Sequence, residues 1–200
     1  MTRAGTGSKA GDKRRRLIEA GLELMEELPY ADITVAMIAE RAKMARSLIF
    51  YYFTDKDALF RGVVHDLLDG LRRVFETNDL SLAQDPAVWL RREVEIFLEF
   101  MAAHPQAMAT IVSQGWEDVE DDSGATMMDF TAGRVQQAFG AHPQDPLLDA
   151  ALHSWASHCV DLAIRTRKTA PQADPETVAA LLIGQLEAVF STLRTDARTG

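Results

Sequence analysis

Apolar residues recur at helical spacing from the start of the ordered-looking chain. Leu17, Ile18, Gly21, Leu22, Leu24 and Met25 form one stripe that stops at the Leu28-Pro29-Tyr30 break, predicting an amphipathic helix from about Asp12. Val35, Ile38, Ala39 and Ala42 mark a short helix through Arg41 with Thr34 as its N-cap, because a Thr hydroxyl can accept from the first free amides. A second short helix, 45–52, follows after a few residues. Thr54 or Asp55 then caps a long one carrying Leu59, Phe60, Val63, Val64, Leu67, Leu68, Leu71 and Phe75. Asp-Pro recurs at 85–86, 145–146 and 174–175, each placing an acceptor before a proline that suits the first helical position. The resulting elements are 86–103, 105–114, 125–139, 146–168 and 175–196, and no segment shows strand periodicity. The pattern predicts an all-α fold with a short-helix head and a larger long-helix body.

Composition narrows the setting. Residues 1–11 are rich in Gly, Ser and Thr with scattered cations, which predicts a disordered basic arm. No uninterrupted apolar run approaches the ~20 residues of a membrane span, and the first residues lack the apolar stretch of a signal peptide. The expectation is a cytoplasmic protein without a membrane partner. A lone Cys159 excludes a disulfide framework within one chain. His153 and His158 stand five apart rather than four, and the acidic stretch 117–122 lacks the Asp/Asn and Gly spacing of a calcium loop, so no metal site is expected. The net charge of −9 is segregated: residues 1–65 hold eleven Lys/Arg against nine Asp/Glu, and 66–200 hold ten against twenty-one. Only the head suits an anionic partner.

The informative stretch is 34–60. Two short helices joined by a tight turn can present the second to a DNA groove when small residues let the first brace it, and Ala39 and Ala42 are small at the crossing. Arg46, Ser47, Leu48, Phe50, Tyr51 and Tyr52 crowd the second helix with cationic, apolar and phenolic tips, the chemistry that reads base edges and holds phosphates. Four consecutive aromatics, 50–53, cannot all face one interior. Lys56 lies near a helix N-terminus, where a cation opposes the dipole and a phosphate would explain it. Arg14, Arg15 and Arg16 read either as a solvated first turn or as phosphate-steering cations.

The run Ile18-Glu19-Ala20 to Leu24, Thr34-Val35, Ile38-Ala39-Glu40-Arg41-Ala42, Phe50-Tyr51-Tyr52-Phe53 and Asp55-Lys56-Asp57-Ala58-Leu59 resembles the N-terminal domain of the tetracycline-repressor (TetR) family. The resemblance implies a three-helix helix-turn-helix DNA-binding domain over 12–57 and an effector-binding and dimerisation domain over 58–200. It places Arg46, Ser47, Leu48 and Phe50 at base edges, and Thr34, Tyr51, Tyr52 and Lys56 at phosphates of a palindromic double-stranded operator. It also implies a ligand-responsive transcription regulator, a repressor in the simplest case and not an enzyme. Against the family pattern, Lys43 replaces the turn glycine, which implies a left-handed backbone, and Ala45 removes the usual serine cap. Leu48 stands where a polar residue is frequent and Tyr52 where His is frequent.

In the body, apolar residues spread around both 146–168 and 175–196 more widely than one core-facing stripe requires. A second face needs covering. The resemblance implies a homodimer through these two helices, with small Ala179, Ala180, Gly184 and Ala188 allowing close approach. Phe97, Met101, Met108, Trp116, Met127, Phe130 and Trp155 offer soft and aromatic walls for a small apolar or aromatic effector, with His158 as a polar handle. The same residues also fit an ordinary core. No cofactor motif is present, no Gly-rich phosphate loop occurs, and Ser113-Gln114-Gly115 is not a nucleophile elbow. The acidity of the chain keeps open an alternative, a helical protein-interaction module without DNA binding.

Overall fold

A computed structural model describes residues 6–82, 85–116, 119–121, 123–140 and 145–196. Nine α-helices run through these residues: α1 Thr6–Glu27, α2 Val35–Arg41, α3 Arg46–Tyr52, α4 Lys56–Thr77, α5 Pro86–Ala103, α6 Pro105–Gln114, α7 Met127–Ala138, α8 Pro146–Thr169 and α9 Pro175–Asp196. None of the described residues is in a strand. Five of the helix starts are set by a side-chain acceptor just before the helix. Thr34 Oγ1 accepts from Met37 N, Asp55 Oδ1 from Ala58 N, and Asp85 Oδ1 from Ala87 N. Asp145 Oδ1 accepts from Leu147 N and Leu148 N, and Asp174 Oδ2 from Thr177 N. Each of the three Asp-Pro pairs therefore begins a helix, its carboxylate meeting amides that the helix itself leaves unpaired. At α7 a reciprocal capping box between Thr126 and Asp129 replaces the proline, and the helix starts at Met127 rather than 125.

The N-terminal arm is shorter than the composition implies. α1 begins at Thr6, so residues 6–11 are helical, while 1–5 lie outside the described residues. Once a helix is nucleated, adding residues at its end costs little, and Ala10 among lysines continues the turn despite Gly7 and Gly11.

The chain divides into two compact units: residues 1–69 with 104–119, and 70–103 with 120–200. The first unit holds α1 to α3, the N-terminal two-thirds of α4, and α6. It extends past the expected boundary at 57 and recruits a helix assigned to the body, because Glu26 of α1 caps α6 by accepting from Gln106 N and Ala107 N. Its interior is built from Leu17, Met25, Ile33, Ile38, Ile49, Leu59 and Phe60, none more than 1% exposed. The second unit buries one face of α9, Leu182, Ile183, Leu186 and Phe190, with Leu152, Trp155 and Cys159 of α8 and Trp89, Leu90 and Val94 of α5. Burial pushes the Cys159 thiol up to about 12, so it behaves as a small apolar residue.

Candidate nucleic-acid interface

Position α3 matters most, and the first unit holds it by one buried side. Ile49 is fully buried and Phe53 nearly so, while Arg46, Ser47, Phe50 and Tyr51 are exposed and Leu48 and Tyr52 half-buried. Phe50 is 54% and Tyr51 76% exposed, a cost for aromatic surface that a core role would not carry. Tyr51 is braced edge-to-face against Tyr52, with ring centroids 4.9 Å apart, which holds its phenol outward. Ala45 precedes α3 without a side-chain cap, as its replacement of serine implies, and Lys43 in the turn carries φ 55°. That lysine stands where a glycine would be unstrained, so the turn stores backbone strain.

Four side chains, Arg14, Arg16, Tyr30 and Arg41, stiffen this head. Arg16 donates to the Ala42 carbonyl at 2.6 Å, satisfying the end of α2. Arg41 pairs with Glu27 at 2.6 Å and Glu23 at 3.1 Å of α1, which lowers the Glu27 carboxyl below its usual range. The Arg14 guanidinium lies 5.2 Å from the Phe53 ring centre. Tyr30 meets both Phe60 and Trp116 edge-on at 5.0 Å, and its hydroxyl donates to Asp57. Burial, followed by the Asp57 carboxylate, raises the Tyr30 phenol above its ordinary range.

Several expected roles change. Lys56 Nζ donates to the Tyr30 and Ile33 carbonyls at 2.9 and 3.0 Å and sits 3.8 Å from the Tyr30 ring centre. Those acceptors explain a cation at the start of α4 without a phosphate. Arg14 and Arg16 are structural tethers, and Arg15 pairs on the surface with Asp12 and Glu19. Thr34 remains exposed, but its hydroxyl oxygen is committed to capping α2.

The expected effector walls fall in both units. Met108 and Trp116 belong to the first, Trp116 as a wall of the Tyr30–Phe60 cluster. Phe97, Met101, Met127, Phe130, Trp155 and His158 belong to the second. Trp155 is core, its indole N–H donating to the Leu182 carbonyl at 2.9 Å, and Phe97 packs against the same cluster. His158 is exposed on α8 and so is not a buried handle. His153, five residues earlier on the same helix, links α8 to α7 through Asp129 at 2.9 Å. Among the described residues no group of three His, Cys, Asp or Glu could hold a metal ion; Glu117, Asp118 and Asp122 lie outside those residues. Sequence reasoning missed the paired Glu93 and Arg134, whose partners are more than forty residues apart and leave no local pattern.

On α9, Ala180, Leu181, Gly184 and Ala188 are exposed, with Leu181 at 54%, and a Cβ added at Gly184 would meet nothing within 4 Å. Ala179, expected on this close-approach face, is buried in the core instead. Residues Pro175–Leu193 average a hydropathy of 1.3, and the helix is long and apolar enough by composition to cross a membrane. Glu176, Gln185 and Glu187 interrupt it, and Leu182, Leu186 and Phe190 pack into the second unit. The apolarity is that of a helix with two apolar faces, one of them uncovered.

Residues 17–63 match the profile described as bacterial regulatory proteins, tetR family. The chain is 31% identical over 83 residues to the HTH-type transcriptional regulator BetI of Stenotrophomonas maltophilia, covering 42% of each chain. It is 30% identical over 97 residues to the regulator EthR of Mycolicibacterium smegmatis, covering 48% of this chain and 45% of that one. The matches thus span less than half the length of these curated relatives. The fold is similar to that of a tetR-family regulator from Streptomyces coelicolor, with a TM-score of 0.72 at 17% identity over 90% of this chain and 83% of the other. The profile match falls on the helices that carry α3 and its brace, where the chain is similar to bacterial regulatory proteins of the tetR family, inside a fold similar to that of the Streptomyces coelicolor regulator.

Proposed function

We propose that this chain is a DNA-binding transcription regulator acting inside the cell as a homodimer. Its α3 enters the major groove, and it is most simply a repressor released from a palindromic operator by a small apolar or aromatic effector. The observation that carries the reading is α3 itself: a helix anchored by Ile49 and Phe53 that holds Arg46, Ser47, Phe50 and Tyr51 out to solvent. Arg46 supplies a bidentate donor for a guanine edge, Phe50 and Leu48 apolar contact for a thymine methyl, and Tyr51 and Tyr52 phenols for phosphate. Lys13, Lys43 and Arg46 are exposed cations on this unit that need no internal partner for their charge.

The uncovered face of α9 supports pairing with a second copy, since close approach of small residues lets two helices bury Leu181 between them. A two-fold dimer requires half-sites spaced by about one DNA turn, ~34–36 Å, or a multiple of it. Effector control would act through α4, the helix that continues from the first unit into the second. An effector alters DNA affinity only by binding the competent and incompetent states unequally.

Mobility shift of the full chain on a duplex from its own upstream region, beside an unrelated duplex of equal length, tests the reading at low and moderate salt. The expected result is preference for the upstream duplex and weaker binding as salt rises, because phosphate contacts release counterions. Equal, negligible retardation of both duplexes at low salt would contradict it.

A further inference from the structure

Glu93 is the one buried charged residue among the described residues, 5% exposed, and it is held entirely within the second unit. Its Oε1 accepts from Arg134 Nε at 2.6 Å and its Oε2 from Arg134 Nη2 at 3.2 Å, a two-point grip between α5 and α7. The same Nη2 also donates to the Phe75 and Asn78 carbonyls at 2.9 and 3.0 Å, at the end of α4. Asn78 returns the contact: its Nδ2 donates to Glu93 Oε2 at 2.8 Å and to the Trp89 carbonyl at 3.2 Å, while Trp89 Nε1 donates to the Asn78 carbonyl at 3.1 Å. The guanidinium lies 5.3 Å from the Trp89 ring centre and 5.6 Å from that of Phe130.

A helix leaves its last carbonyls without partners, and here a side chain from another helix supplies them. Removing two charges from water is costly, and a buried pair usually adds little stability over an apolar one of the same volume. What such a pair does supply is position, since only one placement of the α4 end satisfies every donor and acceptor. At its other end, in the first unit, α4 is tied by a cation of the same kind of use, Lys56 donating to the Tyr30 and Ile33 carbonyls.

We propose that the Glu93–Arg134 pair is a positioning clamp that fixes where α4 ends in the regulatory body, and that its release is the step by which α4 becomes free to shift. The functional half of this inference rests on the reading of the chain as a DNA-binding regulator; the mechanical half does not.

The test compares the full chain with a Glu93→Leu, Arg134→Met double variant, which exchanges the pair for apolar side chains of similar volume. Arg134→Lys is the second variant: it keeps the charge beside Glu93 but lacks the planar fork that grips both carboxylate oxygens while its Nη2 reaches the two carbonyls. Three measurements are made on each: thermal midpoint, hydrogen exchange of the amides of 74–78, and fluorescence anisotropy with a labelled duplex of the upstream region. The double variant is expected to melt below the parent, because the Phe75 and Asn78 carbonyls lose their donor, to exchange about tenfold faster over 74–78 with α5 and α7 unchanged, and to bind the duplex about tenfold more weakly, a coupling of ordinary size. Arg134→Lys is expected to move in the same direction, and it decides the matter if the double variant fails to fold. Parent-like exchange at 74–78 without the pair would overturn the clamp. Faster exchange with unchanged DNA affinity would overturn its role in switching. A parent chain that ignores the duplex would sink the DNA-binding reading alone, and the exchange data would still judge the clamp.

Discussion

Arg46 and Tyr51 share a helix and are both exposed, yet their chemistry separates them. A guanidinium can bridge two acceptors on one guanine, whereas a phenol on phosphate carries no sequence information. Tyr51→Ala is therefore expected to weaken binding to all duplexes alike. Arg46→Ala is expected to cost about 1–3 kcal/mol on the preferred duplex and to relax preference at one base step, measured by competition with single-position operator variants. Uniform losses for both would remove the role assigned to Arg46. A second residue-scale device joins α7 to α8. His153 Nδ1 is 2.9 Å from the Asp149 carbonyl and Nε2 2.9 Å from Asp129 Oδ1, so both nitrogens donate only when the ring is protonated. The Asp129 bond, then the Asp149 carbonyl, raises the His153 pKa above 6.5. The Thr126 hydroxyl, then His153, hold Asp129 down to about 2. The His153 contribution is thus complete below about pH 6.5 and lost as pH rises through the raised value, while that of Asp129 is lost only as pH falls toward about 2. Urea denaturation at about pH 6 and about pH 8.5 should show up to ~1 kcal/mol of pH-dependent stability, limited by partial exposure, that His153→Gln abolishes. An unchanged pH profile in that variant would show the latch to be inert.

At the scale of elements, periodicity and caps carried most of the fold, and the exceptions have local causes. The Asp-Pro starts were readable because both the acceptor and the proline act within one turn. The start of α1 at Thr6 was not, because propagation of an existing helix overrides a glycine-rich composition. Close packing of α1 on α4 depends on Gly21, where an added Cβ would stand 2.9 Å from Val63 Cγ2 and 3.0 Å from Leu59 Cδ2. Both neighbours are fully buried and cannot swing into open space. Gly21→Ala should therefore destabilise the chain by about 1–3 kcal/mol despite the better helix propensity of alanine, read as a lowered thermal midpoint. A raised midpoint would mean that α1 and α4 part easily. The exposure of aromatics on α3 was legible because they crowd a single helix; the internal use of Lys56 was hidden, since its acceptors are backbone carbonyls more than twenty residues away.

For the whole molecule, the uncovered small-residue face of α9 makes a separate prediction. Gly184 faces open space within its own chain, so Gly184→Leu should leave the monomer fold intact, with a thermal midpoint no lower than that of a monomeric parent. If this face pairs with a second copy, the same change should shift sedimentation from dimer to monomer; a Gly184→Leu chain that remains dimeric would place the interface elsewhere. The all-helical class, the position of nearly every helix and the display of an aromatic, cationic α3 follow from local order along the chain, because caps, periodicity and crowding act over a few residues. Packing in three dimensions sets which cations are tethers and which are free, that α6 joins the first unit, that His158 lies outside and Ala179 inside, and that Glu93 and Arg134 meet at the end of α4. Those outcomes depend on partners tens of residues apart, whose proximity follows from packing a core and leaves no trace in local order.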